Sequence, residues 1–300
     1  MVKKNNAELV KEYLEHIKKK KSVSAGTIKT YENIGNNLPF SLLLSQSLIE
    51  KKLKELYTNP NTLQLYLNMI ILIRRHLDHD NDKLIKLRNS LKDKIIAKRK
   101  ENLDKLDDKL PSYDYIKKEL DNLTGIRFIL NYLILNHGLR NKDLNMVFVK
   151  SLPKDKFDNY ILNKGKYILL DINDYKTQET HGNKQIKITD EKFIAEFKKL
   201  KLKDNFPLLP MKCGMRVTAT STFNDKIISL SINKLGQNKL FKIRVKDLLE
   251  NKDFNKLEQL ADDRGTSLGV ILKSYNLHNG TDDDANDGDD EADDGEKIDE

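Results

Sequence analysis

The first hundred residues carry apolar side chains at intervals of three and four, which is the spacing of one buried helix face. Leu9, Tyr13, Leu14 and Ile17 form such a stripe in the first segment. A Lys-rich stretch closes this region at Pro111, where we expect a helix to run into a linker. The pattern predicts an all-helical region with helices at 7–20, from Ser22 or Ser24 to Ile34, and at 47–57, 61–77 and 84–109.

After Ser112 the pattern changes from helical stripes to short β-type runs and then returns to helices. The turn sequences Asn163-Lys164-Gly165 and His181-Gly182-Asn183 separate β-type runs and predict a small antiparallel sheet. Helices, then a sheet, then helices indicate a mostly helical α+β domain and argue against alternating βαβ units. The predicted helices are 112–123, 124–136, 190–202, 222–235, 243–251, 255–261 and 267–275, and the predicted strands are 146–149, 160–162, 167–173 and 185–189.

Charge is distributed unevenly along the chain. Residues 281–300 hold twelve acids and one Lys, so a net charge of +8 for the whole chain leaves +19 on residues 1–280. A body this basic predicts a polyanionic partner, nucleic acid before any other. The tail from residue 279 has too few apolar residues to order itself. Three interpretations of it stay open: a solubilising appendage, a mimic of the phosphate backbone, or a recruiter of a basic partner.

Composition excludes several classes of protein. Cys213 is the only cysteine, which excludes an internal disulfide and a Cys-based zinc site and fits a reducing intracellular compartment. The N-terminus has no secretory signal and the apolar runs are too short to span a membrane. His76 and His79, beside Asp78 and Asp80, are a metal candidate that a solvated helix end explains more simply. We expect no metal and no cofactor.

The segment HGLRNKDL at 137–144 resembles the first active-site box of the tyrosine recombinases, TGLRxxEL, with Arg140 at its Arg. In that family a β-hairpin after the box carries a catalytic Lys, and Lys176 in the sequence DYKT matches its position. The segment LADDRGTS at 260–267, followed by Lys273-Ser274-Tyr275, resembles the final box. The resemblance implies that Tyr275 is the nucleophile.

The family's second Arg lies about thirty residues before its Tyr, and Arg244 stands thirty-one residues before Tyr275. Arg216, fifty-nine residues before it, is a rival that lies too far away for most members. Two positions depart from the family. Phe241 stands where a His or Lys precedes the second Arg, with Lys239 and Lys242 as neighbours that could substitute for it. Thr266 replaces the late His or Trp, and a hydroxyl is a poorer acid–base group.

The N-terminal helices resemble the family's core-binding (SAM-like) domain, and the whole resemblance covers residues 5–278. It implies a helical core-binding domain at 1–108 and a catalytic domain at 109–278, followed by a disordered acidic tail at 279–300. The two domains would close around double-stranded DNA, and four copies would assemble on two DNA sites. The Lys- and Asn-rich composition suggests an AT-rich source such as a virus or mobile element.

The resemblance implies a site-specific recombinase or integrase that needs neither metal nor ATP and takes no small-molecule substrate. Two Arg would bind the nonbridging phosphate oxygens, Tyr275 would attack phosphorus, and Lys176 would protonate the leaving 5′-oxygen. Two other functions stay open: a type IB topoisomerase and a DNA-binding protein that has lost catalysis. Single residues also have plainer explanations. Arg140, taken alone, is explained more simply as the cap of a helix C-terminus or as a partner of Asp143.

Overall fold

A computed structural model describes residues 5–20, 25–107 and 109–275, and it divides into two compact units between Leu106 and Asp107. The described part of the N-terminal unit is helical, as its apolar stripes predict. Its helices are α1 (Asn6–Lys20), α2 (Ala25–Asn37), α3 (Gln46–Leu56), α4 (Pro60–His76) and α5 (Asp82–Asp107).

The N-terminal unit has a hydrophobic core of its own, in which Leu14, Ile49 and Leu67 are almost completely buried. Asn59 caps α4 by accepting a hydrogen bond from the backbone N–H of Asn61, and Pro60 opens the helix. Arg74 is also buried, and its Nη1 donates to the carbonyl oxygens at the turn before α3. The lysines of this unit can therefore occupy its surface without weakening the core.

The C-terminal unit consists of helices around a small sheet. Its helices are α6 (Tyr113–Asn122), α7 (Gly125–His137), α8 (Gln178–His181), α9 (Glu191–Lys199), α10 (Thr220–Leu230), α11 (Gly236–Glu250), α12 (Phe254–Arg264) and α13 (Leu268–Tyr275), with a 3-10 turn at Ile232–Lys234. Its strands are β1 (Met146–Phe148), β2 (Asn159–Asn163), β3 (Ile168–Ile172), β4 (Lys184–Ile188) and β5 (Phe206–Pro207). The predicted fold class, mostly helical α+β with a small sheet, is confirmed.

The sheet is mixed rather than wholly antiparallel. The strand order is β4-β3-β2-β1-β5, and the pairs β2–β3 and β3–β4 are antiparallel, as the turn sequences predict. β1 pairs with β2 in parallel, because the connection at 149–158 carries the chain back before β2 begins. β5 lies antiparallel to β1 and was not predicted, since two residues are too few to show an alternating pattern.

Two predicted helices differ from the structure by five residues or more at one end. The helix expected at 222–235 ends at Leu230, because Ser231 is extended (φ −72°, ψ 153°). The left-handed backbone angles of Asn233 and Lys234 (φ 51° and 55°) then keep the chain from resuming that helix. α11 begins at Gly236, seven residues before the predicted Ile243, since buried residues in its first turns extend the apolar stripe. In the described part of the chain, no helix has both the length and the apolar character to cross a bilayer.

α7 lies at the centre of the C-terminal core and packs against α9, α10, α11 and α12. Asn131, fully buried in this helix, ties it to the end of α10. Its Nδ2 donates to the carbonyl oxygen of Leu230 and its Oδ1 accepts from the N–H of Ile232. A smaller apolar cluster, including Val245, Leu257 and Ile271, joins α11, α12 and α13. These contacts fix the ends of α7 and α12, where the candidate site lies.

Candidate active site

The end of α7 delivers the first box into a tight junction. Gly138 caps the helix with φ 61°, and a Cβ at this position would lie 2.7 Å from Cε2 of Phe241. Glycine is therefore required both by the backbone angle and by the approach of α11. The preceding residue, His137, places its Nδ1 2.6 Å from Oδ2 of Asp263 in α12. The box thus contacts both α11 and α12.

Arg140 follows this junction and is half-buried. Its backbone N–H donates to Oδ2 of Asp143 at 3.0 Å, while its Nη1 donates to the carbonyl oxygen of Arg264 at 2.8 Å. The carboxylate of Asp143 therefore orients the backbone of the box, and the guanidinium reaches the last residue of α12. The side chain of Arg140 thus caps the C-terminal end of α12.

The β3–β4 hairpin approaches the same helix end from the other side. Oγ1 of Thr177 donates to the carbonyl oxygen of Gly265 at 2.5 Å, and Nζ of Lys184 donates to that of Asp263 at 2.5 Å. Nζ of Lys184 also lies 4.2 Å from the centre of the Tyr175 ring. Lys184 of this hairpin therefore reaches the end of α12, and the sequence analysis did not identify it as a site residue.

The C-terminus of α12 is consequently the meeting point of three distant segments. Its carbonyl oxygens at 263, 264 and 265 accept hydrogen bonds from Lys184, Arg140 and Thr177, respectively. The last carbonyls of a helix lack intrahelical partners and carry partial negative charge, so cations are stabilised there. Gly265 ends the helix with φ 68°, which lets the hairpin approach closely.

The cluster carries more positive than negative charge. Its cations are Arg140, Lys184 and Arg264, and its carboxylates are Asp143 and Asp263. Burial lowers the pKa of Lys184 to about 8, and Asp143 opposes this shift while Arg140 reinforces it. Burial also raises the pKa of Asp143, against the effect of the nearby cations. An anion bound here would be stabilised by this excess of positive charge.

Arg264 is almost entirely buried, with 5% of its surface exposed. The carbon of its guanidinium lies 3.8 Å from the centre of the Phe241 ring, and its Nη1 donates to the carbonyl oxygen of Gly138 at 2.6 Å. The sequence contained a signal for this residue that prediction did not use. Position 264 continues the buried stripe of Leu257, Leu260 and Ala261, where a cation is unexpected.

The other predicted site residues that the structure describes have different surroundings. The guanidinium of Arg244 lies 4.5 Å from the centre of the Tyr113 ring and pairs with Asp247 at 2.5 Å, and none of its described contacts reaches Arg140. Lys176 is exposed in the hairpin. Thr266 follows Gly265 and is half-buried, with its backbone N–H bonded to the carbonyl of α12 residue 261.

Tyr275 is the last residue of α13, and its side chain lies outside the part of the chain that the structure describes. The acidic tail from 279 also lies outside the described residues. Among the neighbours considered as substitutes for a His at 241, Lys242 is buried and Lys239 is exposed. The rival Arg216 pairs with Asp158 at 2.5 Å and donates to the side-chain and backbone oxygens of Asn145.

Asn159 supports the site and was not identified from the sequence. Its Oδ1 accepts hydrogen bonds from the backbone N–H groups of Asn173 and Asp174. Its Nδ2 donates to the carbonyl oxygens of Lys142 and Asp174. One buried amide thereby joins the end of the first box to the base of the hairpin. A single Asn at a strand start gives no signal in the sequence for such a role.

Within residues 5–20, 25–107 and 109–275, no group of three or more His, Cys, Asp or Glu side chains is placed to hold a metal ion. His76, one of the metal candidates, instead lies against the ring of His16, with 4.4 Å between ring centres.

No protein-family model and no curated protein matches the chain. Among solved structures, the chain is similar to the crystal structure of XerA recombinase, with a TM-score of 0.37 and 14% sequence identity. That alignment covers 91% of this chain and 94% of the other. At this degree of similarity, the function has to be inferred from the residues and contacts of this chain itself.

Proposed function

We propose that this protein is a DNA strand transferase of the tyrosine-recombinase type. One observation carries the proposal: the three segments that resemble the family's active-site boxes contact one another. Residues 137–144, 174–184 and 260–267 are far apart in the chain, yet hydrogen bonds join them around the end of α12. A short string such as HGLR recurs by chance, but chance does not bring three such strings together.

The charge of this cluster suits a phosphodiester. Attack on phosphorus spreads negative charge over the nonbridging oxygens, and fixed cations stabilise that charge more than they stabilise the ground state. Arg140 is central because a guanidinium can donate two parallel hydrogen bonds to a phosphate. Only one of its side-chain N–H donors is bonded to a described residue, Arg264, so the others can bind the phosphate.

Tyr275 is the proposed nucleophile. It ends α13, and Ile271 of that helix packs into the apolar cluster that also holds α11 and α12. The helix is thus anchored beside the end of α12. The phenol has an ordinary pKa of about 10, so neighbouring cations are needed to favour its ionised form. The phenolate would form a bond to phosphorus while the bond from phosphorus to the 5′-oxygen breaks.

The leaving 5′-oxygen needs a proton, and the β3–β4 hairpin is its proposed source. The family resemblance assigns this role to Lys176. The position of Lys184 makes it a second candidate, since it lies in the cluster and a pKa of about 8 suits an acid at neutral pH. The 3′-phosphotyrosine bond conserves the energy of the phosphodiester, so a free 5′-hydroxyl can attack it and rejoin a strand without ATP.

The partner that follows from this proposal is double-stranded DNA, which the +19 charge of residues 1–280 would attract. The family's example extends the proposal to four copies on two DNA sites and to a role in the integration or excision of a mobile element. Strand exchange distinguishes this function from that of a type IB topoisomerase, which relaxes supercoiled DNA without joining two sites.

The test uses the full-length protein, a pool of nicked duplexes of random sequence, and neither metal nor ATP. A nick near the cleaved bond lets the released fragment diffuse away, so the covalent adduct accumulates and survives SDS. We expect the wild type to form the adduct and Tyr275→Phe to lose it with unchanged DNA affinity. Tyr115→Phe, a change at an exposed tyrosine of the same unit, is the control that keeps it.

Three other outcomes would each change a part of the proposed function. An adduct that persists in Tyr275→Phe assigns the nucleophile elsewhere. Tight DNA binding without any adduct indicates a binding protein that has lost catalysis, with Phe241 and Thr266 as the departures to examine first. Relaxation of plasmid DNA without joining of two duplexes supports the topoisomerase.

A further inference from the structure

The proposed phosphate site needs a second guanidinium, and the described contacts of Arg244 do not provide it. A phosphodiester in the transition state presents two nonbridging oxygens, and Arg140 can occupy only part of that surface. Arg244 stacks on Tyr113 and pairs with Asp247, so its guanidinium is engaged between α11 and α6. The inference that follows rests on the proposed function.

The residue of α11 that contacts the first box is aromatic and uncharged. Phe241 is completely buried and lies so close to Gly138 that a Cβ at Gly138 would be 2.7 Å from its Cε2. The guanidinium of Arg264 covers this ring at 3.8 Å. A charged group therefore does reach the junction of the box and α11, but it comes from α12.

We propose that Arg264, held on the ring of Phe241, is the second phosphate-binding arginine of this protein. A guanidinium held against a ring loses rotational freedom, which restricts the direction of its N–H donors and lowers the cost of ordering them. The hydrogen bond from Nη1 to the carbonyl of Gly138 ties it to the box that carries Arg140.

The hydrogen bonds between the two arginines' segments hold the guanidinium groups in one cluster. Arg140 donates to the carbonyl oxygen of Arg264, and Arg264 donates to the carbonyl oxygen of Gly138, two residues before Arg140. Both cations also act electrostatically on Asp143 and Lys184, so their fields overlap there. This pairing also explains Phe241: where the family has a His or Lys, this chain has the aromatic surface on which its arginine rests.

The test compares two DNA substrates that differ in one charge. Nicked duplexes on which the wild type forms its adduct are made with an ordinary phosphate, or with a methylphosphonate, at the cleaved position. A methylphosphonate lacks one charged nonbridging oxygen and so needs one cation less. With ordinary DNA we expect Arg264→Ala to lower the rate of adduct formation by about 100-fold or more. With methylphosphonate DNA we expect a loss below about tenfold.

Matched variants separate phosphate binding from a structural role. Arg127→Ala, at an exposed residue of α7, should change the rate by less than about fivefold on both substrates. Arg264→Lys keeps a charge and should recover part of the rate. Phe241→Leu keeps Arg264 but removes its ring, and should lower the rate less than Arg264→Ala does. Circular dichroism and the melting temperature give the folded fraction for each rate.

Two results would overturn the inference while leaving the proposed function intact. The first is an equal loss with both substrates in folded Arg264→Ala, which indicates a structural role. The second is a selective loss with ordinary DNA in Arg244→Ala. If Arg264→Ala does not fold, the comparison of the two substrates is made with Arg264→Lys, and equal losses there have the same meaning. A wild type that forms no adduct overturns the proposed function and this inference with it.

Discussion

Gly265 is the residue on which the approach of the hairpin to α12 depends. Its φ is 68°, and a Cβ there would lie 2.5 Å from Cε2 of Tyr175 and 3.0 Å from Oγ1 of Thr177. Gly265→Ala should therefore lower the free energy of unfolding by about 3 kcal/mol, through backbone strain and displacement of the hairpin. Gly165→Ala is the matched control, because Gly165 has φ 80° and nothing within 4 Å of a Cβ.

Gly165→Ala should lower the free energy of unfolding through backbone strain alone, by about 1 kcal/mol. Urea unfolding of both variants measures the two values. Equal losses at the two positions would show that the contact between Gly265 and the hairpin contributes nothing, which would contradict the junction described above.

The lowered pKa of Lys184 predicts that the stability of the protein depends on pH. Its pKa falls from 10.5 to about 8 in the folded protein, chiefly because burial disfavours the charged form. Between those values the unfolded chain still holds the proton that the folded protein has released. Stability should therefore rise with pH across this window, by up to about 3 kcal/mol. Below pH 8 both states are protonated and the cost of the buried charge is fully present.

Lys184→Met removes this titration and supplies the comparison. The free energy of unfolding of the wild type minus that of Lys184→Met should rise between pH 8 and 10.5, and Lys187→Met, at an exposed residue of the same strand, should behave as the wild type does. A difference that stays constant with pH would mean that Lys184 keeps its ordinary pKa.

At the scale of elements, the sequence predicted those helices and strands that produce a regular pattern of apolar and polar residues. The apolar stripes located the helices of both units apart from the four-residue α8, and the turn sequences located the two antiparallel pairings β2–β3 and β3–β4. Periodicity does not predict the left-handed residues that follow α10 or the parallel pairing of β1 with β2, because each depends on where the chain returns in space.

The candidate site shows the same division. The resemblance located Arg140 and the turn at Gly265, since these lie in contiguous strings. It could not show that Arg264 lies on Phe241, because that contact joins residues of two different helices. A contact between two elements is invisible to any pattern that is confined to one of them.

Asn159 joins the end of the first box to the base of the hairpin through hydrogen bonds of its buried side-chain amide, which makes it a test of how the site is held. Asn159→Ala leaves buried N–H and C=O groups of the box and hairpin without partners, so we expect a loss of about 3 kcal/mol in the free energy of unfolding. Asn163→Ala, at the exposed end of the same strand, removes one hydrogen bond to Gly165 and should cost below about 1 kcal/mol.

Chemical denaturation measures both variants. The effect of Asn159→Ala should also reach the site, so that adduct formation falls further than the folded fraction does. If the two Asn variants are equally stable, backbone groups at 142, 173 and 174 find other partners, and the amide of Asn159 does not hold box and hairpin together.

At the scale of the whole molecule, two units with separate cores share a strongly basic composition over residues 1–280. Lysines do not stabilise a core, and a net charge of +19 on residues 1–280 opposes compact folding through self-repulsion. Such a composition is consistent with binding to a polyanion, whose phosphates relieve that repulsion. It also makes affinity fall steeply as salt rises, because binding releases counterions.

The tail at 281–300 has a net charge of −11, and one of its three open interpretations is that it competes with DNA for basic side chains. If it acts as a mimic of the phosphate backbone, deletion of 281–300 should tighten binding to a random-sequence duplex by about tenfold at low salt, and by less than about threefold when salt screens the charges. Fluorescence anisotropy at two salt concentrations measures both affinities.

A tail of equal length with Asn and Gln at every acidic position separates the effect of charge from that of length and should behave as the deletion does. Unchanged affinity at both salt concentrations would end the mimic hypothesis and leave the tail as a solubilising appendage or a recruiter of a basic partner.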